Sequence, residues 1–147
     1  MKRFWYLVKV SYRKIDERSG KDMKTIEAYL VDAVNFTDAE ARFMKQAESL
    51  FSVEFRIVDI RFANYTDVLF PFLADNVYKV KISFISVDDK SGKESRVSNY
   101  LLIPADSVVE ACNACDKHLA DMIVPYNISA VAESPIIDAF PYIENKE

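Results

Sequence analysis

The chain of 147 residues is half hydrophobic and 13% aromatic, enough to build a packed core, which sets it apart from disordered sequences. Its net charge of -4 and pI near 5.1 weigh against a protein devoted to gripping phosphate backbones. No apolar run reaches the roughly 18 residues of a membrane span, and two cysteines three residues apart build no disulfide framework, so a cytoplasmic location is expected.

The first residues, Met1-Lys2-Arg3-Phe4-Trp5-Tyr6, start basic but lack a long apolar stretch and a small-residue cleavage site. They read as the start of a strand and not as a signal peptide. Phe4, Tyr6, Val8, Val10 and Tyr12 fall on one side of a period-2 segment, with Lys9, Ser11 and Arg13 on the other. A polar loop containing Gly20 follows, then a second strand over about 23–33. Thr37 is the expected N-cap of a helix with Glu40 at its third position, running to about Phe51 with Ala39, Phe43, Ala47 and Leu50 on one stripe. A third strand is predicted over about 55–63, and a short fourth near 66–70 that closes on Phe70-Pro71-Phe72.

After a short link at 73–76 the course repeats. Tyr78, Val80, Ile82 and Phe84 alternate with Lys79, Lys81 and Ser83. A loop with Gly92, a strand over about 94–104, and a helix capped by Ser107 with Glu110 come next. That helix is expected to run to about Ile123, ahead of Pro125, with Val108, Cys112, Cys115, Leu119 and Met122 on one stripe. Strands over about 127–133 and near 136–140 lead to Phe140-Pro141-Tyr142.

Tyr6 to Tyr12 aligns with Tyr78 to Phe84 at an offset of 72, as do Asp16, Ser19, Gly20 and Lys21 with Asp88, Ser91, Gly92 and Lys93. Tyr29-Leu30 aligns with Tyr100-Leu101 after a one-residue slip, and Thr37, Glu40 and Ala41 with Ser107, Glu110 and Ala111 at an offset of 70. The fold class that follows is α+β: an internal duplication of a ββαβ(β) unit, with antiparallel sheets and one helix per unit packed on one face. The repeats are 1–73 and 74–147, each so small that tight packing into one compact domain is expected. Gly20 and Gly92 are the only glycines, and each suits a hairpin residue at positive φ. Residues 1–73 carry 12 Lys/Arg against 11 Asp/Glu, whereas 74–147 carry 7 against 12, so a charge-reading partner meets two different halves.

Chemistry is sparse. Cys112-x-x-Cys115-x-x-His118 has zinc-ligand residue types, but a fourth ligand is missing and both cysteines lie on the apolar stripe, so no metal site is expected. Ser-Gly-Lys at 19–21 and 91–93 is followed by Asp22 or Glu94 and then a strand, which is a hairpin and not a phosphate loop. With one histidine, no catalytic residue and no cofactor are expected, and the chain reads as no enzyme.

Two binding surfaces are expected. Lys9, Arg13, Lys79, Lys81 and Arg96, near Tyr29 and Tyr100, would form an outer sheet face suited to single-stranded nucleic acid, although an ordinary solvated face has the same composition. Phe70, Phe72, Phe140 and Tyr142 would be hooks for a protein partner, or lids folding back on their own unit. Single-stranded nucleic acid or a protein is thus the expected partner, with homo-oligomers allowed and no membrane.

Several stretches together resemble a known family. They are Trp5-x-x-Val8-Lys9-Val10, Tyr29-Leu30-Val31-Asp32-Ala33, Phe36-Thr37-Asp38-Ala39-Glu40-Ala41-Arg42, Asp59-Ile60 with Ala63-Asn64-Tyr65, Lys81-Ile82-Ser83-Phe84 with Asp89-Lys90-Ser91-Gly92, and Val131-Ala132-Glu133 followed by Ile137-Asp138-Ala139-Phe140-Pro141-Tyr142. They are similar to the family called domain of unknown function 4494, over nearly the whole chain. The resemblance implies an intracellular accessory protein in gut anaerobes or their phages and mobile elements. It implies no activity and transfers no site residue.

Overall fold

The computed structural model describes residues 2–142. In chain order the elements are β1 (Phe4–Ile15), β2 (Asp22–Ala33), α1 (Phe36–Leu50), β3 (Phe55–Ala63), β4 (Asp67–Val68), β5 (Asn76–Val87), β6 (Glu94–Ala105), α2 (Val108–His118), β7 (Tyr126–Ser134) and β8 (Ile136–Phe140). The fold is α+β, as the alternation and the helical stripes predict. The sheets are mixed and not purely antiparallel. One has the order β3-β1-β2-β8 and the other β7-β5-β6-β4; in each the last strand runs parallel to its neighbour.

The chain divides into two compact units. The first takes residues as far as Ala63 and again from Pro135, the second Asn64–Ser134. This division does not coincide with the repeat boundary at 73/74. The cause lies in the short fourth strands. β4 follows β3 in sequence but pairs with β6 of the second unit, at Asp67 opposite Leu101 and Val68 opposite Leu102. β8 follows β7 but pairs with β2 of the first unit, at Tyr29 opposite Asp138, Leu30 opposite Ala139 and Val31 opposite Phe140.

In the first unit the inward side chains of β1 and β2 meet α1: Val8, Val10, Tyr29, Val31, Phe43 and Ala47 form the core, with Phe55, Ile60 and Phe140 against it. In the second unit Tyr78, Val80, Ile82, Leu101 and Ile103 meet Ala111 and Cys115 of α2. The β1–β2 and β5–β6 ladders are regular, whereas β1–β3 and β5–β7 each carry one bulge. It falls in β3 opposite Lys9/Val10 and in β7 opposite Lys81/Ile82.

The structure also moves three expected details. The cap of α1 is Asn35, whose side chain accepts the Asp38 N–H at 2.8 Å, and not Thr37. Asp38 in turn accepts the Val34 N–H at 3.0 Å, and Glu110 does the same for Asp106 ahead of the Ser107 cap. The two helices are thus offset by 72 and not 70. Pairing of β1 with β2 and of β5 with β6 sets Tyr29 in the place of Leu101, so the slip that aligned it with Tyr100 does not exist. Finally, α2 stops at His118, where the Leu119 N–H turns back onto Cys115 and Lys117 carbonyls, well short of Ile123.

Candidate binding surface

The β1–β2 ladder continues to Ile15 opposite Asp22, whereas β3 begins only at Phe55 opposite Tyr12. Residues 13–24 therefore project as a two-stranded arm. The β5–β6 ladder likewise runs to Val87 opposite Glu94, past the end of β7 at Phe84. Both arms close on the same loop. The Gly20 N–H donates to the Asp16 carbonyl at 2.7 Å, the Asp16 carboxylate accepts the Arg18 N–H at 3.1 Å and the Ser19 hydroxyl at 2.9 Å, and Asp88, Ser91 and Gly92 repeat the pattern. Gly20 and Gly92 have φ of 70° and 69°. A Cβ at either would meet nothing within 4 Å, so Gly20→Ala tests backbone strain alone. It should lower stability by about 1 kcal/mol in a urea melt.

The loop amides and the serine hydroxyl hold the Asp16 and Asp88 carboxyls below their usual value of 3.8. Burial pushes Asp38 up, but the Val34 N–H and the Arg42 and Arg3 guanidinium groups outweigh it and leave that carboxyl low as well. A depressed carboxylate contributes stability that is fully present above its unfolded pKa and is lost as pH falls through its folded one. The urea midpoint should therefore fall on acidification below about 3.8, and Asp38→Asn should flatten that fall.

Alternation along the first arm sets Arg13, Ile15, Asp22, Lys24 and Ile26 on one face. Ile15 and Ile26 are 68% and 58% exposed, and Arg13 pairs with Asp22 at 3.8 Å. On the second arm Ile85 and Val87 are also more than half exposed, beside Arg96 and Glu94. Beside the first arm lies a groove of about 1270 Å³. Its cations are Arg13, Lys14, Lys24 and Arg56, and its carboxylates Asp22, Glu27 and Glu54. Its aromatic wall is a stack of Phe51 on Phe55 at 4.9 Å with Tyr12 edge-on to Phe51 at 5.3 Å. The Tyr29 hydroxyl donates to Glu27 at 3.3 Å; burial and that carboxylate keep its proton on well above the usual tyrosine range. At the second arm the pocket is only about 310 Å³, with Arg96 its one charged lining residue.

The predicted nucleic-acid residues are divided between the two units. Lys9 and Arg13 lie in the first unit; Lys79, Lys81 and Arg96 lie in the second. Lys9 and Lys81 are half-buried. The positions around them on the face away from the helix, Ala28 and Leu30 in one sheet and Val77, Ser83 and Leu102 in the other, are buried. Lys79 is exposed, with its ammonium 4.7 Å from the Tyr100 ring and 5.7 Å from Tyr65. Arg13 and Arg96 stand on the arms.

Of the predicted hooks, Phe140 stacks on Tyr29 at 5.9 Å, and Tyr142 lies between the Arg3 and Arg42 guanidinium groups at 3.7 and 4.4 Å. Both are engaged within the first unit. Phe70 and Phe72 stack on each other at 5.8 Å, with Phe70 45% exposed. Cys115 is buried, its thiol pushed up to about 11 by that burial, and Cys112 is half-buried. His118 Nε2 lies 3.1 Å from Asp67 Oδ2, a contact that no local pattern announces. Among the described residues no three His, Cys, Asp or Glu side chains are grouped to hold a metal ion, and no helix is long and apolar enough to cross a membrane. The groove too has no signature in the sequence, because its lining comes from four elements, β1, β2, α1 and β3, and the loops between them.

Residues 4–142 match the family described as domain of unknown function (DUF4494), and the chain belongs to that family. No curated protein matches it.

Proposed function

We propose that this DUF4494 protein is a non-catalytic binding module that docks a protein partner on the arm and groove of its first unit. The observation that carries the reading is the arm face itself. Ile15 and Ile26 stand largely exposed on either side of the Arg13–Lys24 pair, with Asp22 opposite Ile15. Exposed aliphatic groups interspersed with charges of both signs suit the mixed surface of a protein interface better than a phosphate backbone. Cys115 is no candidate nucleophile, since a thiol raised by burial is the opposite of an activated one.

Single-stranded nucleic acid is the competing reading, favoured by Arg13 and Arg56 beside Tyr12 in the groove. Capture from native cells with the unaltered chain and with Ile15→Glu/Ile26→Glu tells the two apart. The double variant should lose a stoichiometric protein at least about tenfold, since burying one such side chain contributes about 1.5–3 kcal/mol. Its own stability should change by no more than about 0.5 kcal/mol per site. A gel shift with single-stranded DNA or RNA that Arg13→Glu/Arg56→Glu abolishes, with no protein lost from the isoleucine variant, would overturn the protein reading.

The two units also read as copies of one ancestral unit, in the family's cytoplasmic, mobile-element setting. The matched bulges, the two positive-φ glycines and the caps 72 residues apart support the copying.

A further inference from the structure

β8 is attached to one unit and completes the other. It leaves β7 of the second unit after Ser134, with Pro135 alone between the two strands, and pairs parallel with β2 of the first unit. Parallel strands need a long crossover between them; here it runs from Val34 to Pro135 and takes in α1, β3 and the whole second unit. The segment is seated by contacts within the first unit: the Leu30–Ala139 and Val31–Phe140 pairings, the stack of Phe140 on Tyr29, and Tyr142 between Arg3 and Arg42. The β6 edge of the second unit accepts β4 in the same parallel sense, but there the strand comes from that unit's own contiguous stretch. Only in the first sheet, then, is the acceptor edge filled by a strand from outside the contiguous stretch that builds the rest of the sheet.

We infer that the β2 edge of the first unit is a strand-acceptor site that a second copy of this chain fills, so that two chains exchange residues from Pro135 onward reciprocally and close as a twofold dimer. The acceptor makes the same pairings whichever copy supplies the donor. Only the tether through the second unit favours the donor of the same chain, as a local concentration that is on the order of millimolar for a short linker. Refolding at comparable protein concentration removes that advantage. Reciprocal exchange satisfies both open edges, so the assembly stops at two.

The test uses the full chain. The unaltered protein is refolded at about a hundredth of, and at about, that millimolar concentration, and each sample is sized by chromatography with light scattering. A dimer should form on concentrated refolding alone and persist on dilution. Its geometry is read by co-refolding two variants, Leu30→Cys in one chain and Ala139→Cys in the other, then oxidising. These positions are opposite each other in the ladder, within the separation that a disulfide spans. A disulfide-linked dimer should appear from the mixture and not from either variant alone, each of which keeps Cys112 and Cys115 as its own control. Should either variant not refold, Ala28→Cys with Ile136→Cys, also opposite each other, takes its place. A chain that stays monomeric at every concentration, or a dimer in which neither pair cross-links, overturns the inference.

Discussion

Phe43→Ala should destabilise the first unit by about 3–5 kcal/mol, the range for removing a fully buried aromatic ring whose surroundings cannot close on the space. Phe43 is 0% exposed. Its ring lies 5.5 Å from Tyr29, 6.4 Å from Phe55 and 6.4 Å from Phe140, so one side chain of α1 touches three different strands. Those strands are held in register by their ladders and cannot all move inward at once. A urea melt followed by the fluorescence of Trp5 reports the loss, because that tryptophan is the only one and lies on β1. Met44→Ala, one residue along and 45% exposed, is the control and should shift the midpoint by no more than about 0.5 kcal/mol. Equal effects from both would mean that α1 does not carry the core as described.

Ending the chain at Ser134 should have the second large effect, and on the unit farther away in sequence. The truncated protein keeps all of Asn64–Ser134, the whole second unit. It loses β8, and with it the buried Ile136 and Ala139, the ring stacked on Tyr29 and the aromatic between Arg3 and Arg42. Each large apolar side chain withdrawn from a core removes about 1.5–3 kcal/mol, and total stabilities are only about 5–15 kcal/mol. Trp5 fluorescence should therefore report an unfolded or molten first unit, while circular dichroism keeps a cooperative melt from the second. A Trp5 transition unchanged from that of the full chain would show that β8 contributes little.

The elements were readable because their signals are local. Phe4, Tyr6, Val8 and Val10 announce β1 by alternation, and Ala39, Phe43 and Ala47 announce α1 by helical spacing. The Thr37/Glu40 pattern misplaced the cap of α1 because Asn35 and Asp38 offer the same chemistry two residues earlier, where the chain has just left β2 at Ala33. Strand partners were not readable. Nothing in the composition of Ile136–Phe140 says that it pairs with β2 and not within the second unit, since both edges accept apolar strands. The Lys9/Lys81 stripe meets a related limit: alternation identifies the two faces of a sheet but not whether the second is open, and Leu30 and Leu102, each on that face of its own sheet, are 0% exposed. The arms and the groove depend on where β3 stops against β1, a matter of strand length across a sheet and not of any motif.

The return of β8 to β2 also sets an order of events on the ribosome. Synthesis proceeds at about 5–20 residues per second, so the whole of Asn64–Ser134 emerges over several seconds after Ala63. Throughout that interval the second unit acquires every strand it needs, while the first waits with the β2 edge bare. A bare strand edge is a template for foreign strands. The half of the chain made first is thus finished last, and a nascent chain paused before residue 135 is the species most in need of a chaperone.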